Sequence, residues 1–189
     1  MSDFDPKGFK LVGDYLSSLK EESDTPPRDA LNRTVVGRYY YSAFLQLRDI
    51  LKKGLEKYPK SLRDEDFNDF ILALEGNSPH LAIIAFLEAL KEEIKDDVRI
   101  RQAHNSIIYM RELRNAADYD LQEKPEIKTP GGLEKVDFSS QSYVRKAQRK
   151  YSFVENLLDD DGGDKLKDII RVRKNTVIDC IKRVLRTLR

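Results

Sequence analysis

The stretch MRELRNAADYDL, residues 110–121, sets two arginines, an asparagine and an aspartate into a segment with helical apolar spacing. At about 100° per residue, Tyr109, Met110, Leu113, Ala116 and Ala117 collect on one side. Arg111, Arg114, Asn115 and Asp118 then fall within roughly a quarter of the circumference on the opposite side. Clustered guanidinium and amide groups of this kind can hold a phosphate. Arg114 and Asp118 also stand four apart, so they can pair along the helix, which directs the guanidinium but stabilises an exposed helix by only ~0.2–0.5 kcal/mol. A solvated polar face with a routine ion pair is the plain alternative. Ala116 and Ala117 allow a second helix to approach closely, which predicts that the polar stripe borders a tight contact.

Other side chains with chemical capacity are scattered. Arg38, Tyr41, Leu45 and Arg48 recur at three- and four-residue steps, a stripe suited to a partner or ligand. In the run Tyr39–Tyr41, consecutive residues point about 100° apart, so Tyr40 goes inside and Tyr41, aligned with Arg38, is the one kept as a ligand candidate. His104 precedes Arg114 by ten residues, roughly 15 Å along a helix and too far to share one cleft. His80 opens an apolar segment, where a local hydrogen bond is its ordinary role. Neither histidine pairs with Cys180 or an acidic residue at ligand spacing, so no metal and no cofactor is expected. TPGG and DDDGGD lack the lysine or strand context of a phosphate loop, and no G-x-S-x-G nucleophile motif is present.

The elements that must position these residues are helical. Of 189 residues, 35% are charged and 40% apolar, with 34 basic against 33 acidic side chains. That composition fits a helical protein of mixed surface charge and a core large enough to fold without staples. Lys7–Leu19 reads as a first helix with Phe9, Leu11, Val12 and Leu16 inside, stopped by SDTPP. Arg28–Leu55 is a second, burying Val36, Tyr40, Ala43, Phe44, Leu47 and Leu51. A short helix at Phe67–Leu74 follows, then HLAIIAFLEALKEEI, apolar on nearly every side and so either fully buried or in a subunit interface. The motif helix runs from Val98 or Ile100 to Leu121. QEKPEIKTPGGLEKVDF reads as a long loop, SYVRKAQRKYSFVENLL as a helix capped by Ser139 or Ser140, and Asp164 caps one final helix. No stretch alternates as a strand should, which makes the fold class all-α, an up-and-down helical bundle with a basic C-terminal helix.

From Asp164 to Arg189 nine basic residues face three acidic ones, while the rest of the chain is acidic on balance. Arg171, Arg173 and Lys174, with the neighbouring cations of that helix, could lie along a nucleic-acid backbone or dock a partner; a solvated basic face is the bland counterpart. No apolar run reaches the ~20 residues needed to cross a bilayer. MSDFDPKGFK lacks a signal pattern and there is a single cysteine, so a cytoplasmic location and no membrane contact are expected.

The succession RYYYSAFLQLRDIL, SPHLAIIAFLEAL, LRNAADYDL and YVRKAQRKYSFVENLL resembles the HEPN domains (higher eukaryotes and prokaryotes nucleotide-binding), specifically the branch with Arg-x-x-Ala-Asp-Tyr on a late helix. The resemblance spans roughly residues 8–158. It implies an HEPN-like bundle over residues 1–160 that dimerises with the motif helices meeting at a cleft, leaving 161–189 as a basic helix of the same domain or a partner-docking extension. Many such proteins are metal-independent ribonucleases or toxins of toxin–antitoxin and antiviral defence systems, often beside a nucleotidyltransferase. Their pattern places a histidine four to six residues after the arginine. Here Arg114 is followed by Asn, Ala, Ala, Asp, Tyr, Asp and Leu.

Cleaving RNA through its 2′-hydroxyl needs a base, an acid and a cation. Arginine supplies only the cation, and an ordinary aspartate, titrating at about 4, is a poor base at neutral pH beside it. Two functions therefore stand open. One is an RNA- or nucleotide-binding interaction protein using Arg38, Tyr41, Arg111, Arg171, Arg173 and Lys174, in a homodimer or protein assembly, with a nucleotidyltransferase-type antitoxin as an implied partner. The other is an endoribonuclease toxin with a variant active site of Arg114, Asn115, Asp118 and Tyr119.

Overall fold

The computed structural model describes residues 5–19, 26–76, 78–120, 124–129, 131–159 and 165–188. Among them the helices are α1 (Lys7–Ser18), α2 (Arg28–Leu55), α3 (Glu65–Glu75), α4 (Pro79–Glu93), α5 (Val98–Tyr119), α6 (Gln141–Asp159), α7 (Leu166–Val172) and α8 (Lys174–Leu188). The chain is an all-α helical bundle, as its periodicities require. It divides into two compact units, Met1–Leu45 with Asn105–Phe153, and Gln46–His104 with Val154–Arg189. Residues 23–25 of the expected first stop, Leu121 at the expected end of the motif helix, the expected cap Asp164, and Arg189 lie outside the described residues.

In the first unit α2 buries Val35, Val36, Tyr39, Tyr40, Ala43 and Phe44, and α5 buries the five residues expected of it, Tyr109, Met110, Leu113, Ala116 and Ala117. Val144, Ala147 and Tyr151 of α6 complete this core. The face assigned to α1 needs correction. Gly13 is its buried residue, and a Cβ there would stand 3.4 Å from Arg38 Cβ and 3.6 Å from the Tyr39 ring. A helix that approaches through its glycine turns its neighbours outward, so Leu11, Val12 and Tyr15 are exposed while Phe9 and Leu16 are half-buried. The contact is fixed by polar groups, with the Tyr39 hydroxyl donating to Asp14 Oδ1 at 2.5 Å and Gln148 Nε2 donating to the Tyr39 hydroxyl at 2.8 Å.

The segment read as a long loop contains a hairpin of β1 (Glu126–Thr129) and β2 (Gly132–Lys135), antiparallel, with Ile127 opposite Glu134. Four-residue strands with only Ile127 buried carry too little alternation to be visible as a pattern. Turn chemistry makes the hairpin instead. Gly132 adopts φ +113°, which a side chain would resist, and Thr129 Oγ1 donates to the Gly132 carbonyl at 2.8 Å.

In the second unit α8 packs on α3 and α4 through Val177, Ile178, Cys180, Ile181, Val184 and Leu185. Six residues of α4 are buried, including Phe86 and Leu87, while Leu81 is exposed. Asp64 caps α3, accepting from the Phe67 N–H at 3.0 Å, and pairs with Lys182 at 3.0 Å. The single final helix expected from the sequence is two helices, broken at Arg173 (φ −97°, ψ 50°). The Tyr58 hydroxyl donates to the Ile170 carbonyl at 2.6 Å, and that oxygen would accept the Lys174 N–H in a continuous helix. The Tyr58 hydroxyl thus satisfies this carbonyl at the break.

Candidate functional site

The C-terminal turn of α5, where the arginine motif lies, is held from α2. Arg33 Nη1 donates to the carbonyls of Ala116 at 3.2 Å, Ala117 at 3.4 Å and Asp120 at 2.8 Å, and its guanidinium lies over the Phe138 ring at 4.5 Å. A cation at a helix C-terminus satisfies carbonyls that have run out of N–H donors and complements the dipole. This is the close approach that Ala116 and Ala117 permit. Arg33 does not stand out in the sequence, because an i, i+4 pair with Asp29, observed at 2.8 Å, accounts for it there.

On the outer side of that turn the structure gathers Arg114, Asn115, Asp118, Tyr119 and Tyr41. Arg114 donates through Nη1 to Asn115 Oδ1 at 3.1 Å and through Nη2 to the Tyr41 hydroxyl at 2.5 Å. Asp118 Oδ2 stands 2.7 Å from Nε but off the line of the N–H bond, so charge rather than a hydrogen bond holds that pair. The guanidinium carbon sits 5.1 Å from the Tyr41 ring centre and 5.0 Å from that of Tyr119. Burial works against the Arg114 charge, but Tyr41, Asp118 and Tyr119 outweigh it and hold its pKa above the ordinary arginine value. Phe9 extends the stack, its ring 6.0 Å from Tyr41 and 5.4 Å from the Arg38 guanidinium. Arg38 thus joins the cluster through Phe9, a residue that reads in the sequence only as core.

This arrangement limits what Arg114 can do. Its side chain is 15% exposed and faces a carboxylate, so its charge is already compensated. Arg111, of the expected group, pairs with its neighbour Glu112 at 3.2 Å. The adjoining depression, about 460 Å³, is lined by Glu112, Asp120 and Glu126 together with Asn115 and Tyr119, and by no cation among the described residues. Phosphate approaching there meets negative charge. The cluster is built as a clasp of an arginine between two tyrosines.

The second unit holds the opposite electrostatic arrangement. A cleft of about 430 Å³ is lined by Lys53 of α2, Lys57 just beyond it, Lys167 and Arg171 from α7, and Lys174 at the start of α8. Among the described residues Asp168 is its only carboxylate, paired with Arg171 at 3.0 Å. Tyr58 floors it, with Lys174 Nζ 5.9 Å from the ring centre. Arg171 and Lys174 line this cleft, while Arg173 at the break lines a neighbouring surface depression with Asn175 and Thr176. Lys53 and Lys57 are inconspicuous in the sequence because more than a hundred residues separate them from Lys167 and the other cations of the basic segment.

Other candidates are accounted for. His104 is buried, with Nε2 2.7 Å from Glu88 Oε2, and His80 lies in the first turn of α4. Burial pushes the Cys180 thiol up to about 12, leaving it protonated and unreactive at neutral pH. Among the described residues no His, Cys, Asp and Glu group could hold a metal ion, and no helix is long and apolar enough to cross a membrane.

No protein-family model matches the chain, and no solved structure matches it. Two proteins of the archaeon Methanocaldococcus jannaschii are similar. The uncharacterized protein MJ0992 is 31% identical over 121 residues, 60% of this chain and 59% of that protein. The uncharacterized protein MJ0628 is 36% identical over 157 residues, 83% of this chain and 87% of its own. With that identity sustained over most of both chains, the protein belongs to the family of MJ0628.

Proposed function

We propose that the protein is an HEPN-like RNA- or nucleotide-binding interaction protein of a prokaryotic defence or toxin–antitoxin system, working as a homodimer or within a larger assembly. The observation that carries the binding reading is the cleft in the second unit, where five cations surround a single, already paired carboxylate. Such a surface attracts a polyanionic backbone and gains affinity from counterion release. The order of tyrosine-rich helix, apolar helix, Arg-x-x-Ala-Asp-Tyr helix and basic helix supports the HEPN-like assignment, and with it a nucleotidyltransferase-type antitoxin as partner. The Arg114 charge, already compensated by Asp118, and the missing histidine favour binding over cleavage.

The test is titration of single-stranded RNA at a series of salt concentrations. Binding whose logarithm falls linearly with log salt is expected. The combined Lys53→Gln, Lys57→Gln and Arg171→Gln variant should lower the slope by about 2, since each phosphate neutralised on a single strand contributes roughly 0.7. An unchanged slope in that variant rules the cleft out as the RNA surface.

A further inference from the structure

In the first unit a depression of about 290 Å³ opens between α5, α6 and the hairpin turn, lined by none of the Arg114 cluster. Lys146, Arg149 and Lys150 enter it from α6, where i, i+3 and i+4 positions share a face. Among the described residues Glu134 of β2 is its only carboxylate and is taken by Lys146, Nζ to Oε1 at 2.5 Å. Arg149 and Lys150 make no ion pair among the described residues. Lys150 is instead held against aromatic faces, 5.4 Å from the Tyr109 ring centre and 5.9 Å from that of Phe153. Its pKa is lowered, first by burial and then by the like charges of Arg149 and Lys146, against a partial opposing effect of Glu134. Positive charge has been crowded here beyond what the protein neutralises.

Tyr109 adds an independent sign of a ligand. The residue is 5% exposed, and among the described residues its buried hydroxyl has no partner at hydrogen-bonding geometry; the Glu134 carboxylate stands near enough, by charge and as a poorly placed acceptor, to add to the burial that raises its pKa. A buried donor left unsatisfied costs stability unless something fills its valence. We propose that this depression binds a phosphate group, Arg149 and Lys150 taking its charge and the Tyr109 hydroxyl donating to one of its oxygens. A phosphate carries close to two negative charges at neutral pH, matching the two cations that have no ion pair among the described residues. The volume lies just under the ~300–1,000 Å³ typical of drug-sized ligands, so the ligand is small, either free orthophosphate or a phosphate monoester such as a nucleoside monophosphate. This site and the basic cleft of the second unit involve different residues and stand or fall separately.

Calorimetric titration of the full chain with orthophosphate and with adenosine 5′-monophosphate tests the proposal. Saturable binding of at least one at a single site is expected. Equal affinities identify free phosphate as the source, and tighter binding of the monophosphate identifies a monoester. Arg149→Gln and Lys150→Gln should each weaken binding about tenfold or more, the loss expected of a charge-assisted hydrogen bond. Tyr109→Phe should weaken it severalfold, while Lys57→Gln in the other unit leaves it unchanged. Arg149 is exposed, so its replacement does not threaten the fold. Absence of saturable binding to either compound overturns the proposal, as does wild-type affinity in the Arg149 and Tyr109 variants.

Discussion

Arg33 donates from Nη1 to the Asp120 carbonyl at 2.8 Å, so one side chain of α2 closes the C-terminal end of α5. The turn it closes carries Arg114, Asn115, Asp118 and Tyr119. Arg33→Met keeps the aliphatic stem and removes the donors, and it should lower stability by about 1.5–3 kcal/mol, the range for hydrogen bonds to a charged group. Arg33→Lys should recover only part, since an ammonium placed at the carbonyls cannot also keep the Nε bond to Asp29 and the flat guanidinium contact with the Phe138 ring. Urea midpoints measure both effects, and a wild-type midpoint for the methionine variant would sink the claim.

Arg114 is predicted to matter for folding more than for ligand. It donates to Asn115 and Tyr41, and its charge is compensated by Asp118. Arg114→Ala should therefore lower the thermal midpoint while changing RNA affinity by less than about twofold, far from the tenfold that 1.4 kcal/mol represents. Purified protein incubated with mixed RNA in EDTA should leave it intact. Cleavage by the wild type that disappears in Arg114→Ala would instead establish the ribonuclease reading.

What the sequence makes legible is periodic, and what it hides is tertiary. The buried side of α5 follows from 3.6-residue spacing because Tyr109, Met110 and Leu113 have no other way to leave water. The same spacing brings Asn115 and Asp118 to Arg114, since all lie within one turn. Phe9 and Arg33 enter the site from other helices, and no local pattern records that. The break at Arg173 is hidden for the same reason, because the hydroxyl that takes the Ile170 carbonyl belongs to Tyr58, distant in sequence. Gly13 gives a misleading signal on α1, where a missing side chain rather than an apolar one marks the buried face.

Gly54 is a second glycine whose missing side chain carries information. A Cβ at that position would stand 2.8 Å from Ile170 Cγ2, closer than packed carbons tolerate. Alanine is the better helix former by about 1 kcal/mol, which opposes the clash. Overpacking costs typically ~1–3 kcal/mol and should prevail. Gly54→Ala is thus expected to be less stable than wild type, and Gly54→Ala with Ile170→Leu, which removes the Cγ2 branch at constant volume, to regain part of the loss. Because both residues lie at the basic cleft of the second unit or beside it, RNA affinity should fall along with stability. A single variant more stable than wild type would show that the α2 and α7 backbones separate freely at this point.

Asp97 sets an acid limit at the start of α5. Its Oδ1 accepts from the Arg99 backbone N–H at 2.9 Å and from Nε at 3.1 Å, and Oδ2 accepts from Nη2 at 2.7 Å. Burial alone would raise the carboxyl pKa, yet Arg99 and these backbone N–H groups outweigh it and hold it below the usual aspartate value. A carboxylate whose pKa is depressed in the folded state contributes stability that is complete above its unfolded value, about 3.9, and is lost as pH falls through the folded value. Asp97→Asn should therefore cost about 1 kcal/mol at pH 7, in keeping with a partly buried ion pair at a helix cap. That difference from wild type should stay constant down to about pH 5 and shrink below about pH 4. Urea denaturation of the two proteins across this range measures it, and a gap that widens as the solution is acidified would reverse the sign assigned to Asp97.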